Sequence, residues 1–437
     1  MKVGICTLGC RTNIYESDCI SSKLEEAGFE IVDFSSFADI YIVNTCSVTS
    51  EADKKSRQMI RRGKNINENA YVVCLGCYSQ LRAQEAFDIG ADYVCGNRNK
   101  YNCIEYIIAF SKGERKKKID VLDLKDAEYE KENTNANISR DTVKAYVKIG
   151  DGCDNHCAYC IIREARGPVV SKPVNEIVKE AQALANNGYS EIILTGTEVA
   201  SYGKDLDGVK LIDVLESLEK VEGIERIRLA SIEPSILKED FISRLAKLSK
   251  FMPSFHLSLQ SGSDSVLASM KRKYNREMVK KSVSEIRKSI PNAEFSADII
   301  CGFPGETEKD FEDTLDLAGF IQLYHGHIFP YSDRNGTISS KMSGKIASDV
   351  KKERCEKLSE LCKETERLTC SKYIDGKIPL KVLFEQRKGG YYHGHAENGL
   401  EVCYETDEDI KGKVVCKVPV KYNDGILYFE SGIKEKR

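Results

Sequence analysis

Short β-rich runs alternate with helix-like stretches over the first hundred residues. Apolar positions recur at strand spacing in some segments and at helical spacing in the segments between them. Strands that alternate with helices favour a parallel sheet covered by helices on both faces. The pattern predicts strands and helices in turn at residues 2–8, 15–27, 40–44, 52–62, 71–75 and 79–89.

A second alternation follows a charged, asparagine-rich stretch at residues 115–141, which is typical of a linker. Helical patterns lie between most of its strand candidates. Six βα units are too few for a closed eight-stranded barrel but suit a partial one, with its chemistry at the carboxyl ends of the strands. The six predicted strands are residues 145–149, 191–195, 226–231, 254–259, 294–300 and 325–330.

The last segment contains only strand-like runs, which predicts a small all-β barrel. Those runs are residues 380–385, 399–404, 414–420 and 426–429. The predicted fold is therefore mixed α/β in three domains joined by one linker. The prediction assigns a parallel α/β domain to 1–114, the linker to 115–138, a partial (βα)6 barrel to 139–370 and the all-β barrel to 371–437.

Charge and composition narrow the class of protein. The net charge of −3 gives no global polycation, so any contact with RNA must be local. The N-terminus runs directly into a strand-like segment without the apolar stretch of a signal peptide, and no run approaches the roughly 20 apolar residues that span a bilayer. We expect a cytoplasmic protein with no membrane association. Its 17 cysteines would stay reduced there, where clustered thiols more often bind metal or do chemistry.

Three of these cysteines, Cys153, Cys157 and Cys160, follow the first predicted barrel strand within one short loop. A loop of this length can wrap three thiolates around one cluster corner, and soft sulfur favours iron–sulfur or zinc over hard cations. With three ligands, a cubane iron cluster keeps one iron open. A structural zinc knuckle with His156 as the fourth ligand is the alternative.

A second set of cysteines closes three successive predicted strands of the first domain: Cys10, Cys46 and Cys77. Strand ends of a parallel sheet share one edge, so residues about thirty apart in sequence can converge there. Spacing alone leaves other ligands open, and Cys74 with Cys77 also forms a CxxC pair that could suggest redox chemistry. The alternatives are Cys6, Cys19, Cys74, Cys95 and Cys103. For Cys6 and Cys74, within strands, a buried apolar role is favoured.

The sequence around both cysteine sets resembles a known family. The spacing of the central cysteines, with Tyr159 before the last of them, resembles the signature of radical S-adenosylmethionine enzymes. The phrases TLGCRTN from Thr7 and VNTCSVT from Val43 are similar to the N-terminal domain of the methylthiotransferases in that superfamily. Five further phrases of this sequence are similar to the barrel domain of the same methylthiotransferases: IIREARGP from Ile161, LTGTEVASYG from Leu194, RLASIEP from Arg228, HLSLQSG from His256 and DIICGFPGET from Asp298.

This resemblance implies two [4Fe-4S] clusters and S-adenosyl-L-methionine as cofactors. In the family, the cluster on the central cysteines cleaves S-adenosylmethionine to a 5′-deoxyadenosyl radical, and an auxiliary cluster on the N-terminal cysteines presents sulfur for insertion into a C–H bond. Three positions, Arg163, Glu164 and Lys172, depart from the proline, aromatic residue and arginine of the family. The cofactor contacts implied by resemblance are Tyr159, Gly196, Glu198, Ser258, Gln260 and Gly305.

Further phrases bear on the substrate. VLFE from Val382 and GYYHGHAEN from Gly390 resemble the small TRAM barrel, an RNA-binding module. ADKKSRQ from Ala52, and IFPYS and RNGT from Ile328 and Arg334, are most similar to the branch that acts on N6-threonylcarbamoyladenosine in tRNA. The implied reaction abstracts the adenine C2 hydrogen, inserts sulfur and adds a methyl group to give a 2-methylthio product.

The partners implied are the anticodon stem-loop of tRNA, an electron donor such as flavodoxin or ferredoxin, and a sulfur source. Alternative functions are methylthiolation of N6-isopentenyladenosine in tRNA or of a ribosomal-protein aspartate, radical modification of a peptide, and non-catalytic RNA binding with structural metal. A basic run at 54–64, just after Cys46, and another at 271–273 are by default solvated, but phosphate contact is a second interpretation. Because the threonylcarbamoyl group is negatively charged, its pocket should contain a cation, with Arg166 and Arg334 as candidates.

Overall fold

The computed structural model describes residues 1–125 and 142–432. The N-terminal part is a six-stranded sheet of order β2-β1-β3-β4-β5-β6 in which every neighbouring pair is parallel. β3 and β4 are buried along their whole length because helices cover both faces. The elements are β1 Lys2–Thr7, α1 Arg11–Glu26, β2 Glu30–Val32, β3 Ile40–Thr45, α2 Ser50–Ile66, β4 Tyr71–Gly76, α3 Cys77–Leu81, α4 Ala83–Asp88, β5 Tyr93–Cys95, α5 Cys103–Ser111 and β6 Lys118–Asp120.

This sheet confirms the predicted parallel α/β domain, with two differences in detail. The helix predicted at 79–89 is divided at Arg82, whose φ of −140° and ψ of 44° are not helical. β6 lies inside the segment predicted to be a linker, and the Tyr71 hydroxyl donates a hydrogen bond to the Lys116 carbonyl, 2.5 Å away, which helps to hold the segment there. Residues 126–138, the rest of the predicted linker, lie outside the described residues.

The central part contains all six strands predicted for the partial barrel. Two sheets, β10-β9-β7-β8 and β11-β12-β13, are joined through the isolated bridges Ile227 to Phe251 and Ile232 to Leu257. The elements are β7 Lys144–Asp151, α6 Ile162–Arg166, β8 Val170–Ser171, α7 Val174–Asn186, β9 Glu191–Gly196, α8 Leu211–Leu218, β10 Arg226–Leu229, α9 Glu239–Leu245, β11 Ser254–Gln260, α10 Asp264–Ser269, α11 Arg276–Ser289, β12 Glu294–Cys301, α12 Glu308–Ile321 and β13 His325–Pro330.

Alternation along the strands gives this curled sheet an apolar outer face and a polar inner face. In β11, Phe255, Leu257 and Leu259 are fully buried under the outer helices, whereas His256 and Ser258 are half-buried on the other face. Successive side chains point to opposite faces of a strand, so the second set lines the concave interior, which we call the lumen. The core of the central part therefore lies between sheet and helices, and the lumen stays available for chemistry.

The C-terminal part begins with the long helix α13, Ser348–Asp375, and ends in a six-stranded sheet of order β17-β14-β15-β16-β19-β18. Its pairs are antiparallel except β16 with β19. This confirms the predicted small all-β domain. Sequence prediction missed β15 and joined β17 to β18. The strands are β14 Leu380–Lys388, β15 Tyr391–Ala396, β16 Glu401–Glu405, β17 Val414–Lys417, β18 Pro419–Asn423 and β19 Ile426–Phe429.

Two arginines of β10 dock this sheet onto the barrel. Arg228 donates to the carbonyl oxygens of Ala396 and Glu397, at 2.7 and 3.0 Å, and Arg226 donates to that of Lys381 at 3.2 Å. Glu191, at the start of β9, holds both guanidinium groups at 2.5 and 2.8 Å. The C-terminal sheet therefore closes the lumen at the amino-terminal end of the barrel strands.

Among the described residues, no helix is both long and apolar enough to cross a membrane.

Candidate active site

Cys10, Cys46 and Cys77, which we call the N-terminal triad, stand at the carboxyl ends of three adjacent strands. Cys46 directly follows β3, Cys77 directly follows β4 as the first residue of α3, and Cys10 precedes α1 after β1. β1, β3 and β4 are neighbours in the sheet, and Thr7 pairs with Asn44 as Thr45 pairs with Gly76. The three ends are thus level at one edge, which brings together cysteines about thirty residues apart in sequence.

Two glycines allow this convergence. Gly9 has φ +93°, and a Cβ at this position would lie 2.8 Å from the Cys46 sulfur. Gly76 has φ +100°, and a Cβ there would lie 2.6 Å from the Thr45 carbonyl oxygen. Any larger residue would combine an unfavourable backbone conformation with a collision. Both strand-to-helix turns therefore require glycine in order to present Cys10 and Cys77.

The thiols of this triad influence each other electrostatically. Burial, together with the neighbouring Cys77 and Cys10, raises the pKa of Cys46 to about 11. Burial likewise raises the pKa of Cys77, which Arg166 partly opposes. The Asn97 amide donates to the Cys77 sulfur at 3.6 Å. Three converging soft donors in a partly closed site fit a thiolate-bound iron–sulfur cluster, whose binding would release the thiol protons.

Cys153, Cys157 and Cys160, which we call the central triad, occupy the loop after β7. Backbone N–H groups of Asn155 and Ile162 each donate to a cysteine sulfur, Cys153 and Cys160 respectively, at 3.4 Å. Burial raises the pKa of Cys153 to about 11 and that of Cys160 to about 12, and the neighbouring thiols add to both shifts. The loop thus gathers three thiols and aims backbone donors at their sulfurs, which suits a second cluster.

The remaining sulfur of the central triad faces a cation. Arg272 lies 3.2 Å from the Cys157 sulfur through Nη1 and forms an ion pair with Glu233 at 3.3 Å. By contrast, the exposed His156 ring is hydrogen-bonded to Arg163 at 2.8 Å. The geometry therefore favours the cluster over the zinc knuckle, because the histidine that the knuckle requires is engaged elsewhere. Sequence reasoning recognised Arg272 only as part of a basic run.

A buried ion network joins the elements that carry the two triads. Arg166, only 2% exposed, bonds Glu16 and Asp151 at 2.9 Å each, and Lys148 contacts the same two carboxylates at 2.9 and 2.8 Å. Lys100 adds a third cation, 2.5 Å from Glu16. Burial opposes ionisation of Glu16 and Asp151, but these cations hold both pKa values below their ordinary range. The network ties α1 of the N-terminal sheet to β7 and α6 of the barrel.

Arg166 and Arg334 were predicted to offer a cation to the substrate, and this prediction is wrong. Arg166 is enclosed in the network just described. Arg334 is 5% exposed and bonds Asp53 at 3.0 Å and the Ser47 hydroxyl at 2.5 Å. Both guanidinium groups are engaged within the protein because carboxylates remote in sequence fold against them.

The residues implied as cofactor contacts lie at the carboxyl ends of the barrel strands or, for Tyr159, in the central-triad loop. Gly196 ends β9, where a Cβ would approach the Gly150 carbonyl oxygen to 2.9 Å, and Gly305 follows β12 with φ +85°. Gln260 ends β11 with φ 62°, two residues after Ser258. The structure gathers these positions at one end of the barrel, and their contact with S-adenosylmethionine stays a prediction.

Glu198, also implied by resemblance, has an unusual environment. Burial, together with the nearby Glu233 carboxylate, raises its pKa to about 7. Its Oε1 accepts a hydrogen bond from the Ala200 N–H at 3.1 Å. Glu198 lines a small crevice with Gly150, Gly152 and Gly196. A carboxyl group that shares protonated and ionised forms near neutral pH can meet either an amino or a carboxylate group of a ligand.

The alternative N-terminal cysteines lie within the packing. Cys74, Cys95 and Cys103 are fully buried, and Cys19 is 1% exposed. Burial raises the pKa of Cys74 to about 12, while the Ser79 hydroxyl, 3.1 Å from its sulfur, partly opposes the shift. These environments favour the interpretation of small apolar core residues. Cys6 is half-buried within β1.

A pocket of about 340 Å³ occupies the lumen between the barrel and the C-terminal sheet. We call it the lumen pocket. Its wall is mainly polar, and Arg11, the residue after Cys10, reaches it from the N-terminal sheet. The other cationic or titratable bases on its wall are Lys144, Arg228, His256, His325, His327 and His395. A residue adjacent in sequence to the N-terminal triad therefore contributes to the wall of this pocket, a connection that no sequence pattern indicated.

Comparison with known proteins agrees with this division of the chain. Residues 147–318 match the radical SAM superfamily, and residues 2–96 match the uncharacterized protein family UPF0004. The threonylcarbamoyladenosine tRNA methylthiotransferase MtaB of Bacillus subtilis is 36% identical over 429 residues, which cover 96% of this chain and 94% of that protein. The namesake from Aquifex aeolicus is 38% identical over 388 residues, covering 89% and 94%.

A relative with another printed substrate is almost as similar. The tRNA-2-methylthio-N(6)-dimethylallyladenosine synthase of Clostridium botulinum is 35% identical over 433 residues, covering 95% of this chain and 94% of that protein. Among solved structures, the radical S-adenosylmethionine methyltransferase TsrM from Kitasatospora setae matches with a TM-score of 0.56 at 16% identity, covering 75% and 74%. That likeness supports the fold of the barrel.

Proposed function

The chain belongs to the radical S-adenosylmethionine methylthiotransferases, and we propose that its substrate is N6-threonylcarbamoyladenosine in tRNA. The observation that carries this choice is the chemistry of the lumen pocket. Relatives named for a threonylcarbamoyl and for a dimethylallyl substrate differ by only a few per cent in identity to this chain. Overall identity therefore does not separate the two substrates.

A prenyl chain and a threonylcarbamoyl group need opposite surroundings. The first is apolar and gains by contact with aliphatic walls, whereas the second carries a carboxylate, a hydroxyl and a urea-like group that must be hydrogen-bonded when buried. On the wall of the lumen pocket, charged and histidine side chains outnumber the aliphatic ones, which are Ile193, Leu229 and Leu400. This lining supports the polar substrate, and a pocket of this kind can disfavour the prenyl analogue by about 10⁴-fold.

Arg11 is the cation that we assign to the substrate carboxylate. It is exposed, lines the lumen pocket and directly follows Cys10 of the N-terminal triad. Within residues 1–125 and 142–432, the side chain of Arg11 makes no hydrogen bond or ion pair. The side chains of Lys144 and Arg228, on the same wall, are held by Glu385 and Glu191 respectively. A guanidinium group offers a planar fork that matches a carboxylate. Arg11 thus replaces Arg166 and Arg334 in this role.

Each thiol triad has a separate duty in the proposed reaction. When bound, the clusters supply the electron that cleaves S-adenosylmethionine at the central triad and the sulfur at the N-terminal triad, two [4Fe-4S] clusters in all. Arg272 donates a hydrogen bond to the Cys157 sulfur, and Glu198 can take or release a proton near neutral pH beside the cofactor contacts. The buried network fixes one triad relative to the other, which a radical reaction at one adenine carbon requires.

The exposed side of α2 is proposed to contact the tRNA backbone. Lys54, Lys55, Arg61 and Arg62, which we call the basic face, are exposed and lie on one side of the helix because they are spaced by one and seven residues. Met59 and Ile60, on the opposite side of the helix, are buried. α2 begins four residues after Cys46, so this face stands beside the N-terminal triad. The positive charge of the basic face suits contact with the phosphates of the anticodon stem-loop.

The remaining partners follow from the reaction. The proposed chemistry consumes electrons and sulfur, which calls for a donor such as flavodoxin or ferredoxin and for a sulfur source. These partners and the tRNA place the proposed reaction in the cytoplasm. The 2-methylthio product at adenine C2 needs a second S-adenosylmethionine as methyl donor.

The experiment that tests the substrate uses anaerobically reconstituted enzyme and two tRNAs, one with the threonylcarbamoyl and one with the isopentenyl modification. Mass spectrometry of the nucleosides should detect a 2-methylthio product from the first tRNA only. Equal activity on both would remove the basis of this choice, and activity on the isopentenylated tRNA alone would reassign the substrate.

An Arg11→Gln variant tests the pocket. Loss of one charged hydrogen bond, about 1.5–3 kcal/mol, should lower kcat/KM for the threonylcarbamoylated tRNA roughly 10-fold to 100-fold. The loss in methylthiolation should exceed any loss in uncoupled cleavage of S-adenosylmethionine. Arg82→Gln, at an exposed arginine of the same domain, is the control. If the two variants behave alike, Arg11 does not read the substrate.

A further inference from the structure

Three residues of adjacent strands converge on the lumen face. His256 lies on β11, Asp298 on β12 and His327 on β13. Asp298 pairs directly with His327 in the sheet register, and His256 pairs with Ser296, two residues before Asp298. The curl of the sheet therefore brings two imidazoles and one carboxylate to the same level of the lumen.

The separations suit ligands of one metal ion. Asp298 Oδ1 lies 3.1 Å from His256 Nε2 and 3.2 Å from His327 Nδ1. The three possible ligand atoms all lie within 4.8 Å of one another. Ligands that stand about 2.0–2.2 Å from an ion are separated by roughly 3 Å at tetrahedral or octahedral angles. Two of the three edges already have that length.

A partner outside the three residues orients one of the imidazoles. The Ser296 hydroxyl lies 2.8 Å from His256 Nδ1. With Nδ1 engaged, Nε2 is the nitrogen left to face Asp298 and the lumen. Histidines that bind metal characteristically have the second ring nitrogen hydrogen-bonded in this way.

An ion could reach the three residues from the pocket. The side chains of His327, Asp298 and His256 are 47%, 24% and 17% exposed, and both histidines line the lumen pocket of about 340 Å³. A closed hydrogen-bonded cluster would need no such opening. Here the open side leaves room for further ligands from solvent or substrate.

We propose that His256, Asp298 and His327 form a binding site for a divalent first-row transition metal. Two imidazoles and one carboxylate suit Zn²⁺, Fe²⁺, Mn²⁺ or Co²⁺ rather than Mg²⁺ or Ca²⁺, which take mainly oxygen ligands. The remaining coordination positions face the lumen pocket and take oxygen donors, water or a carboxylate. None of the three ligands is a thiol, so this site shares no residue with the thiol triads.

The test uses the holoenzyme with both triads loaded with iron, so that the cluster cysteines do not compete for the probe. Zn²⁺ is added under anaerobic conditions, and metal retained after equilibrium dialysis is measured by elemental analysis. We expect one zinc per chain beyond the iron. His327→Gln, at a half-exposed position, and Asp298→Asn should both abolish this binding, while His325→Gln, also on the pocket wall, should retain it.

Two further measurements separate ligation from a structural effect. Ser296→Ala keeps all three ligands and should weaken zinc binding roughly 10–100-fold. Co²⁺ at the same site should show ligand-field bands without sulfur-to-cobalt charge transfer. The proposal is overturned if the wild-type protein retains no zinc beyond its iron, if His327→Gln retains as much as wild type with unchanged iron content, or if His325→Gln loses as much as His327→Gln.

Discussion

Substitution of Arg166 by methionine would remove the central guanidinium of the buried network while keeping an unbranched side chain. Its Nη1 lies 2.9 Å from Glu16 and from Asp151, and its Nη2 lies 2.6 Å from the Asn13 amide oxygen. Removing one partner of a buried ion pair costs about 3–5 kcal/mol because the other charge stays buried. Lys100 and Lys148 still compensate the carboxylates, so we expect about 3 kcal/mol, or roughly 100-fold in the unfolding equilibrium.

Urea unfolding at pH 7, followed by tyrosine fluorescence because the chain has no tryptophan, measures this cost. Arg367→Met is the matched control. Arg367 pairs with Glu364 on α13, and both side chains are about half exposed, so this loss should be below about 1 kcal/mol. If Arg166→Met costs no more than Arg367→Met, the network does not hold the two domains as argued.

The cost should also depend on pH. The pKa values of Glu16 and Asp151 lie below their ordinary values of 4.5 and 3.8 in the folded protein. Stability from such groups is present above the ordinary pKa and is lost as pH falls, because the unfolded chain then binds protons more readily. The difference between wild type and Arg166→Met should therefore narrow as the pH is lowered below about 5. A difference that widens instead would contradict the charge assignment.

Two further predictions concern the triads and the basic face. Replacing the central triad with alanine should abolish formation of 5′-deoxyadenosine under dithionite. Replacing the N-terminal triad with alanine should remove about half of the iron and leave cleavage of S-adenosylmethionine intact. Undiminished 5′-deoxyadenosine in the first variant, or full iron in the second, would contradict the assignment. Changing Lys55, Arg61 and Arg62 to glutamine should weaken tRNA binding and reduce the slope of log affinity against log salt by about 2–3. The control is the pair Lys179→Gln on α7 and Lys220→Gln just after α8, and equal effects in both variants would argue against the basic face.

The strands were predictable because burial imposes a period of two or a continuous apolar run. β3, β4 and the six barrel strands match their predicted positions closely. β15 was missed because Tyr391–Ala396 contains two histidines and a glycine, which give little apolar contrast. The split between α3 and α4 was missed because a single residue, Arg82, separates two helices of five and six residues.

The candidate site was predictable where its residues end neighbouring strands of one sheet. Cysteines that end neighbouring strands must meet at one edge, so the N-terminal triad could be foreseen from the βα alternation. Partners on separate domains could not. Arg166 is bound by Glu16, 150 positions away, and Arg334 by Asp53, 281 positions away. No local pattern states that such a cation is already neutralised, and for the same reason the convergence of His256, Asp298 and His327 became visible only in the curled sheet.

The distribution of buried charge explains why the substrate carboxylate must be met by a residue outside the network. Arg166, Lys100 and Lys148 are engaged by the buried carboxylates of Glu16 and Asp151. Burial raises the pKa of Cys77, and Arg166 partly opposes that shift. A cation beside a triad stabilises thiolates, whose burial would otherwise be costly. These cations are thus committed to the ligands of the N-terminal triad. Arg11, at the edge of that triad and facing the lumen pocket, is left to meet a negatively charged substrate.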